Sequence, residues 1–305
     1  KEYLYGDSPR VLTQLELEEE IVKGNPGITH CDNLVMIQCV GSRNDERPYC
    51  SKVCCNQAIK NALKLKELKP EMNIYVFYRD IRTYGFYEEY YEQARQKGVI
   101  FLHYEPEDKP GVSQERKNGH SLIRIEGNDP VLGKKIAIKA DILVLSVPMV
   151  PMEEAKEVAM FYKVTLNQDN FFLEAHVKLR PVDFATDGVF VCGLAHAPKP
   201  LGESIAQAEA AASRASTVLS RDTIVSEGIV ASINEDLCSG CGICEILCPY
   251  KAITINKERK VAEVNEALCK GCGTCCAACP SGAAQQRGFT ANQVLAMLHA
   301  ALLKV

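Results

Sequence analysis

Apolar residues fall along this chain in two rhythms. Short apolar runs bounded by polar or turn-forming residues, the mark of buried strands, occupy Leu34–Gln38, Asn73–Tyr78, Val99–Tyr104, Leu122–Glu126, Ile136–Lys139, Ile142–Val147 and Val189–Cys192. Between several of them the apolar positions recur at helical spacing. Cys50–Lys69 carries Val53, Ala58, Ile59, Ala62, Leu63 and Leu65 along one broad side, Phe86–Lys97 follows the second run, and Glu203–Leu219 follows the last. Strand–helix–strand order predicts parallel pairing with right-handed crossovers, so residues 31–220 read as an α/β domain. The runs near 122 and 136 are joined by the turn-rich Gly127–Gly133 and predict an antiparallel hairpin instead. Thr290–Leu303 places Val294, Leu295, Leu298 and Leu302 behind a Thr290 N-cap and predicts an amphipathic closing helix.

Composition changes this picture at one point only. A length of 305 residues, 47% of them hydrophobic and 24% charged, suits about two domains with ordinary cores. The net charge of -4, with 35 basic and 39 acidic residues spread along the chain, provides no electrostatic footprint for nucleic acid. No uncharged apolar run approaches the ~18 residues of a membrane span, which predicts a cytoplasmic protein without a membrane helix or signal peptide. The exception is cysteine: 15 residues, five of them between 31 and 55, one at 192 and nine in 238–279. Disulfide staples would not leave 56–191 untouched, and close-set pairs in an odd total read as metal ligation in a reducing compartment.

Cys238-Ser-Gly-Cys241-Gly-Ile-Cys244-Glu-Ile-Leu-Cys248-Pro249 recurs 31 residues later as Cys269-Lys-Gly-Cys272-Gly-Thr-Cys275-Cys276-Ala-Ala-Cys279-Pro280. Leu237/Leu268, Gly240/Gly271, Gly242/Gly273 and Ala252/Ala283 repeat in step, so the two halves should be related by a pseudo-two-fold axis. The spacing is that of bacterial two-cluster ferredoxins, where three close thiolates hold one cubane and the fourth, before proline, reaches across to the other. It assigns Cys238, Cys241, Cys244 and Cys279 to one [4Fe-4S] cluster and Cys269, Cys272, Cys275 and Cys248 to its neighbour. Glycines between ligands let the backbone wrap a cluster and aim N–H groups at sulfur. Zinc knuckles share Cys-x-x-Cys but have no use for the crossed fourth ligand. Cys276 reads as a small core residue.

The first cysteine group is more ambiguous. Cys39 ends a predicted strand, and Tyr49-Cys50-Ser-Lys-Val-Cys54-Cys55 opens a predicted helix, the two places where α/β folds hold ligands and where N–H groups favour thiolate. Cys39, Cys50, Cys54 and Cys55 together suit a third iron–sulfur cluster; a reversible disulfide such as Cys50/Cys54, a zinc site and plain packing are the competing readings. Cys31 lies before the strand in a Gly/Pro/Asn-rich loop and is the poorest ligand. Lys60, farther along the helix, either presents a cation to an anionic cofactor or belongs to a solvated face; no catalytic residue is assigned. Asp187–Ala212 predicts a strand, a Gly/Pro loop and a helix rich in small residues, in which Ala206, Ala208, Ala210 and Ala211 would allow close helix–sheet packing. Such a segment either approaches a cofactor with its backbone or merely connects two elements.

In combination, Val-Met-Ile-Gln-Cys-Val-Gly-Ser-Arg, Tyr-Cys-Ser-Lys-Val-Cys-Cys, Phe-Tyr-Arg-Asp-Ile-Arg-Thr-Tyr-Gly, Leu-Arg-Pro-Val-Asp, Ala-Pro-Lys with Glu-Ser-Ile-Ala-Gln, and the terminal cysteine repeat resemble the HdrA family. These are the iron–sulfur flavoprotein subunits of heterodisulfide reductases and related complexes. The resemblance spans nearly the whole chain. It implies an α/β, thioredoxin-reductase-like flavin domain over residues 1–225, incomplete, followed by an α+β two-cluster ferredoxin domain over 226–305. It also implies that Cys39, Cys50, Cys54 and Cys55 hold a cluster beside FAD. Along that FAD would lie Gly193, Ala197, Pro198, Lys199, Glu203, Ser204 and Gln207. The implied activity is electron transfer in flavin-based bifurcation or confurcation, with the terminal disulfide reduced on another subunit.

Full HdrA subunits carry an upstream Gly-x-Gly-x-x-Gly fingerprint that this sequence lacks. The chain therefore resembles a C-terminal half, whether split subunit or fragment. The expected partners are other subunits of such a complex, including a chain or segment with the missing half, and a ferredoxin, hydrogenase or dehydrogenase as donor. No phosphate-binding glycine run follows any predicted strand, which speaks against NAD(P). Two other readings are a two-cluster ferredoxin fused to a structural module without flavin, and a flavin-dependent disulfide reductase attacking through Cys54 or Cys50.

Overall fold

The computed structural model describes residues 2–117, 120–129, 133–223 and 228–303. Turn residues 130–132 and the expected domain boundary at 225/226 lie outside the described residues. The chain divides into two compact units, 1–153 with 167–171 and 192–208, and 154–166 with 172–191 and 209–305.

The first unit begins with β1 (Val11–Thr13), α1 (Gln14–Val22) and α2 (Pro26–Thr29). It continues through β2 (Asn33–Ile37), α3 (Cys54–Leu68), β3 (Asn73–Tyr78), α4 (Glu88–Gln96) and β4 (Ile100–His103). A meander of β5 (Gly111–Lys117), β6 (His120–Asp129) and β7 (Lys134–Ala140) then leads back into β8 (Ile142–Leu145). The main sheet is parallel, in the order β1-β8-β2-β3-β4, and β5-β6-β7 form a separate antiparallel sheet. Alternation along β2 builds both cores. Leu34 and Met36 pack with Leu17, Ile59, Ala62 and Leu65 of the helices, whereas Val35 and Ile37 pack with Ile123, Ile125 and Ile138 of the meander.

This α/β architecture is the predicted class. The expected hairpin proves to be three-stranded: β5 reads Gly-Val-Ser-Gln-Glu-Arg-Lys, with too few apolar positions to stand out from a loop. The helix expected from Cys50 begins at Cys54, because Lys52 adopts φ +59 and cannot continue a right-handed helix. The strand expected at Val189–Cys192 reduces to a bridge between Phe190 and Asp183, as its backbone partners lie in the short segment Val182–Phe184 rather than in a sheet.

The second unit contains α5 (Ala155–Tyr162), and the long α6 (Leu201–Leu219) runs from the first unit's residues into it. Its remainder comprises β9 (Ala231–Ile233), α7 (Ile243–Leu247), β10 (Ile253–Asn256), β11 (Val261–Val264), α8 (Thr274–Ala278), β12 (Ala284–Gln286) and α9 (Ala291–Leu302). β10 pairs antiparallel with β11, and β9 with β12. The registers Ile253↔Val264 and Ala284↔Ile233 are the same pair displaced by the sequence offset, so the expected two-fold relation is present in the backbone. Ala231, Ile253, Ala262 and Cys275 form the small core between these strands. The α9 helix forms behind a Thr290 capping box as predicted, yet buries no residue; its amphipathic face stays exposed.

Candidate iron–sulfur and flavin site

In the repeat, the cysteine sets that spacing alone proposed line separate cavities. One is lined by Cys238, Cys241, Cys244 and, from the other half, Cys279. The other is lined by Cys269, Cys272, Cys275 and the crossed Cys248, with Cys276 beside them. Gly242 and Gly273, at φ 78° and 77°, start the short helices that present Cys244 and Cys275. Gly240 and Gly271 meet a harder constraint. A Cβ would lie 2.3 Å from the Lys260 carbonyl oxygen at one and 2.3 Å from the Ile229 carbonyl oxygen at the other.

Backbone amides are aimed at the sulfurs in both halves of the repeat. Ala231 N–H donates to Cys269 Sγ at 3.3 Å and Ala262 N–H to Cys238 Sγ at 3.4 Å; Ala252 N–H reaches Cys248 Sγ at 3.3 Å and Ala284 N–H reaches Cys279 Sγ at 3.5 Å. The Ala284 amide is the main reason that the Cys279 thiol titrates below its ordinary value. Sulfurs arrayed round a space and fed by N–H donors fit a cubane cluster. Among the described residues no three Cys, His, Asp or Glu side chains gather on a single point as one metal ion requires.

The second site lies at the carboxyl end of the parallel sheet. Strand order reverses at β2, with β3 and β4 on one side and β8 on the other, and the crevice at such a switch point is where open α/β sheets bind ligands. Cys39 follows β2 directly at φ 59, a rare conformation for a side chain with a Cβ. Cys54 and Cys55 open α3, and Cys50 stands on the connecting loop. That loop is pinned by Tyr49 Oη to the Met149 carbonyl at 2.9 Å and by Met149 N–H to Ser51 Oγ at 2.9 Å.

Electrostatics joins the four thiols. Burial, and then the neighbouring Cys55, push the Cys39 thiol up. Cys54 is pushed up by the hydrogen bond it shares with Cys55 and by burial, while the same bond pulls Cys55 down to about 7. Arg43 reaches Cys39 Sγ at 3.9 Å and pairs with Asp80, which also accepts from Arg82 Nη2 at 3.0 Å. Burial raises the Asp80 carboxyl and the bonds from Arg82 and Arg43 outweigh it, holding it below its usual value. Gln38, fully buried one residue before Cys39, has no hydrogen-bond partner for its side-chain amide among the described residues.

Beside this group a cleft of about 720 Å³ is lined by Tyr49, Cys50, Lys52, Arg82 and Tyr84 together with Ala197 and Pro198. Tyrosine rings with cations at the rim suit a planar ring bearing carbonyl groups. Of the other residues expected along a flavin, Glu203 accepts from Tyr84 Oη at 2.9 Å. Gly193, Lys199 and Gln207 bond one another instead. Gln207 Oε1 accepts from Gly193 N–H at 2.9 Å and from the buried Lys199 Nζ at 2.6 Å, so these residues hold the loop's shape. Ser204 Oγ closes the first turn of α6 on the Pro200 carbonyl at 3.2 Å.

Residues 237–283 match the family described as 4Fe-4S dicluster domain. Over 84% of its length the chain is 42% identical to an A-type iron–sulfur subunit of the CoB–CoM heterodisulfide reductase of Methanopyrus kandleri, covering 40% of that protein. Over 98% of its length it is 38% identical to the A-type subunit of the H2/formate:CoB-CoM heterodisulfide,ferredoxin reductase of Methanococcus maripaludis, covering 47% of it. The chain belongs to the HdrA family.

This HdrA-family chain thus spans less than half the length of those two curated relatives. Among solved structures it overlaps a NAD-dependent persulfide reductase from A. fulgidus at 15% identity and TM-score 0.41, over 74% of this chain and 38% of that one. It overlaps the T. acidophilum thioredoxin reductase at 13% and 0.37, over 61% and 51%. Overlaps this loose carry no argument about the site.

Lys60 and most of the α6 alanines, read from the residues alone, lie at the surface. Lys60 is exposed and pairs with Glu18 at 2.7 Å, on the solvated side of α3. In α6, Ala211 is buried, whereas Ala206, Ala208 and Ala210 are exposed and pack against no sheet, because none of the described strands covers that side. The Arg43–Asp80–Arg82 chain is a feature that sequence reasoning missed. Its signal was nevertheless in the sequence, since Arg43 follows β2 and Asp80 and Arg82 follow β3, and adjacent parallel strands end side by side. Among the described residues no helix is long and apolar enough to cross a membrane.

Proposed function

We propose that this chain is the electron-transfer part of an oxidoreductase of the heterodisulfide reductase type, working with a flavin and three [4Fe-4S] clusters. The observation that carries the reading is that one cleft is lined both by Cys50, from the first cysteine group, and by Ala197 and Pro198, from the loop expected along FAD. The two crossed cysteine cavities support the remaining clusters. A flavin supplies two-electron chemistry and an iron–sulfur cluster one-electron chemistry, so their adjacency is what divides an electron pair.

The chain's own contribution is placement and charge. Cys39, Cys50, Cys54 and Cys55 hold one cluster at the switch point; Arg43, Arg82 and Lys52 offset its negative charge; the Gly193–Gln207 loop shapes the flavin's wall. The sets Cys238/Cys241/Cys244/Cys279 and Cys269/Cys272/Cys275/Cys248 hold the relay clusters under backbone N–H groups. The names of the relatives support a complex that passes electrons from hydrogen, formate or ferredoxin to a CoB–CoM heterodisulfide; in the proposed scheme, bifurcating or confurcating, that disulfide is reduced on another subunit. The missing dinucleotide half would come from a partner chain or segment.

Anaerobic iron and acid-labile sulfide analysis tests this reading. The chain should hold roughly twelve irons, and Cys39→Ala about four fewer with the repeat's share intact. About eight irons together with freely titrating thiols at Cys50, Cys54 and Cys55 would replace it by a dithiol reductase reading. Flavin retention that requires a chain carrying Gly-x-Gly-x-x-Gly would support the divided site.

A further inference from the structure

The two cavities of the cysteine repeat share a sulfur frame but not a lining. Where one has Ser239, Ile243 and Glu245, the positions 31 residues on are Lys270, Thr274 and Cys276. Thr274 Oγ1 lies 3.4 Å from Cys272 Sγ, and Cys276 Sγ lies 3.8 Å from Cys275 Sγ, so a hydroxyl and a thiol stand within donor range of two sulfurs. Lys270 lines the same cavity, its charge shared with Asp187. Across the two-fold, Ile243 offers no donor, and Glu245, which follows Cys244 in the chain, holds its carboxylate on the N–H of Ile255, a residue that lines the first cavity, at 3.3 Å. The first cavity has hydroxyls of its own in Ser239 and Ser281, the latter 3.5 Å from Cys279 Sγ.

We infer that the cavity of Cys248, Cys269, Cys272 and Cys275 holds the higher-potential cluster of the pair, so that an electron entering the repeat comes to rest there. Reduction adds a negative charge. Hydrogen-bond donors and a nearby cation stabilise that charge and a carboxylate opposes it; the exchanges at 243/274 and 245/276 act in this sense, Lys270 adds a cation paired with Asp187, and the Ser281 hydroxyl acts against them for the other cavity. Burial acts the other way, since Cys275 is buried and Cys244 only half-buried, and a less polar setting disfavours added charge. The ordering therefore sets donors and charge against dielectric. It rests on the two-cluster reading of the repeat and deepens it.

The test is a potentiometric titration of the full chain, reconstituted anaerobically with iron and sulfide and followed by electron paramagnetic resonance. The repeat should show two separate steps. Thr274→Ile and Cys276→Ala should each move only the more positive step, downward, and Glu245→Gln only the more negative one, upward. A single shared step, or a Thr274→Ile shift of the more negative step, overturns the ordering. Should Thr274→Ile fail to assemble, Glu245→Gln decides by itself, and the absence of an upward shift overturns the ordering equally. Iron analysis separates the two levels of failure: an unaltered chain lacking the repeat's share of about eight irons overturns the cluster reading, whereas a full complement without the split overturns the ordering alone.

Discussion

The two cysteine sites of this protein are built on opposite plans. In the repeat, each ligand has a counterpart 31 residues away, and the structure around it is equally duplicated: the strand registers, the left-handed glycines and the N–H···S bonds all occur twice. In the α/β unit, four cysteines meet because a strand end, a loop and a helix start converge at a switch point, and the charged residues beside them follow two adjacent strands, Arg43 after β2 and Asp80 and Arg82 after β3. A site encoded by repetition depends on local backbone shape. One encoded by convergence depends on the sheet that brings its pieces together.

That contrast can be broken most forcefully at the glycines. Gly240→Ala and Gly271→Ala each set a Cβ 2.3 Å from a carbonyl oxygen while occupying positive φ. Backbone strain of about 1–3 kcal/mol adds to the clash, and iron content of the repeat should collapse in both variants. Gly242→Asn, also at positive φ but with no atom within 4 Å of the new Cβ, should retain its irons. Equal losses from all three would mean that close approach is not what the glycines serve.

In the α/β unit the matching lesion is Asp80→Asn, with a smaller effect spread over Arg43 and Arg82. The folded Asp80 carboxyl titrates below its ordinary value, so its stabilisation is present above the unfolded value near ~3.9 and is lost as pH falls through the folded one. Urea unfolding should find the variant weaker than the parent at neutral pH and the two converging in acid. A gap that persists at low pH would remove the charge pairing as its cause.

The smallest effects concern the two capping boxes. Thr13→Ala exposes the start of α1, whose Leu17 is fully buried, and should lower global stability by about 1 kcal/mol. Thr290→Ala opens the same motif on α9, which buries nothing, and should leave the unfolding midpoint in place while hydrogen exchange along α9 accelerates. A global shift from Thr290→Ala would show that α9 is coupled to the rest of the fold.

Much of this architecture is legible in the order of residues. Asn73–Tyr78 is β3 to the residue, because alternating apolar positions with two tyrosines and a phenylalanine leave no competing periodicity. The cavity membership of all eight repeat cysteines follows from spacing. The three-residue β1 is too short to carry a period, β5 is too polar to show one, and α1 and α5 escape notice. At the first site the cysteines are legible but their setting is not. The left-handed Cys39 and the orphaned Gln38 amide leave no mark in spacing or periodicity, and the Arg43–Asp80 pair joins residues 37 positions apart.

By itself, then, the sequence determined the repeat, its crossed ligand sets, the parallel order of strands and helices, and the family. These are properties of spacing and periodicity, and they survive projection onto one dimension. Only the tertiary structure decided which sulfurs receive amide hydrogens, that Gly193, Lys199 and Gln207 brace a loop while Ala197 and Pro198 line the cleft, and that Cys50 lines the same cleft. Those outcomes depend on distances across the fold, where hydrogen bonds and charges act over a few ångströms whatever the separation along the chain.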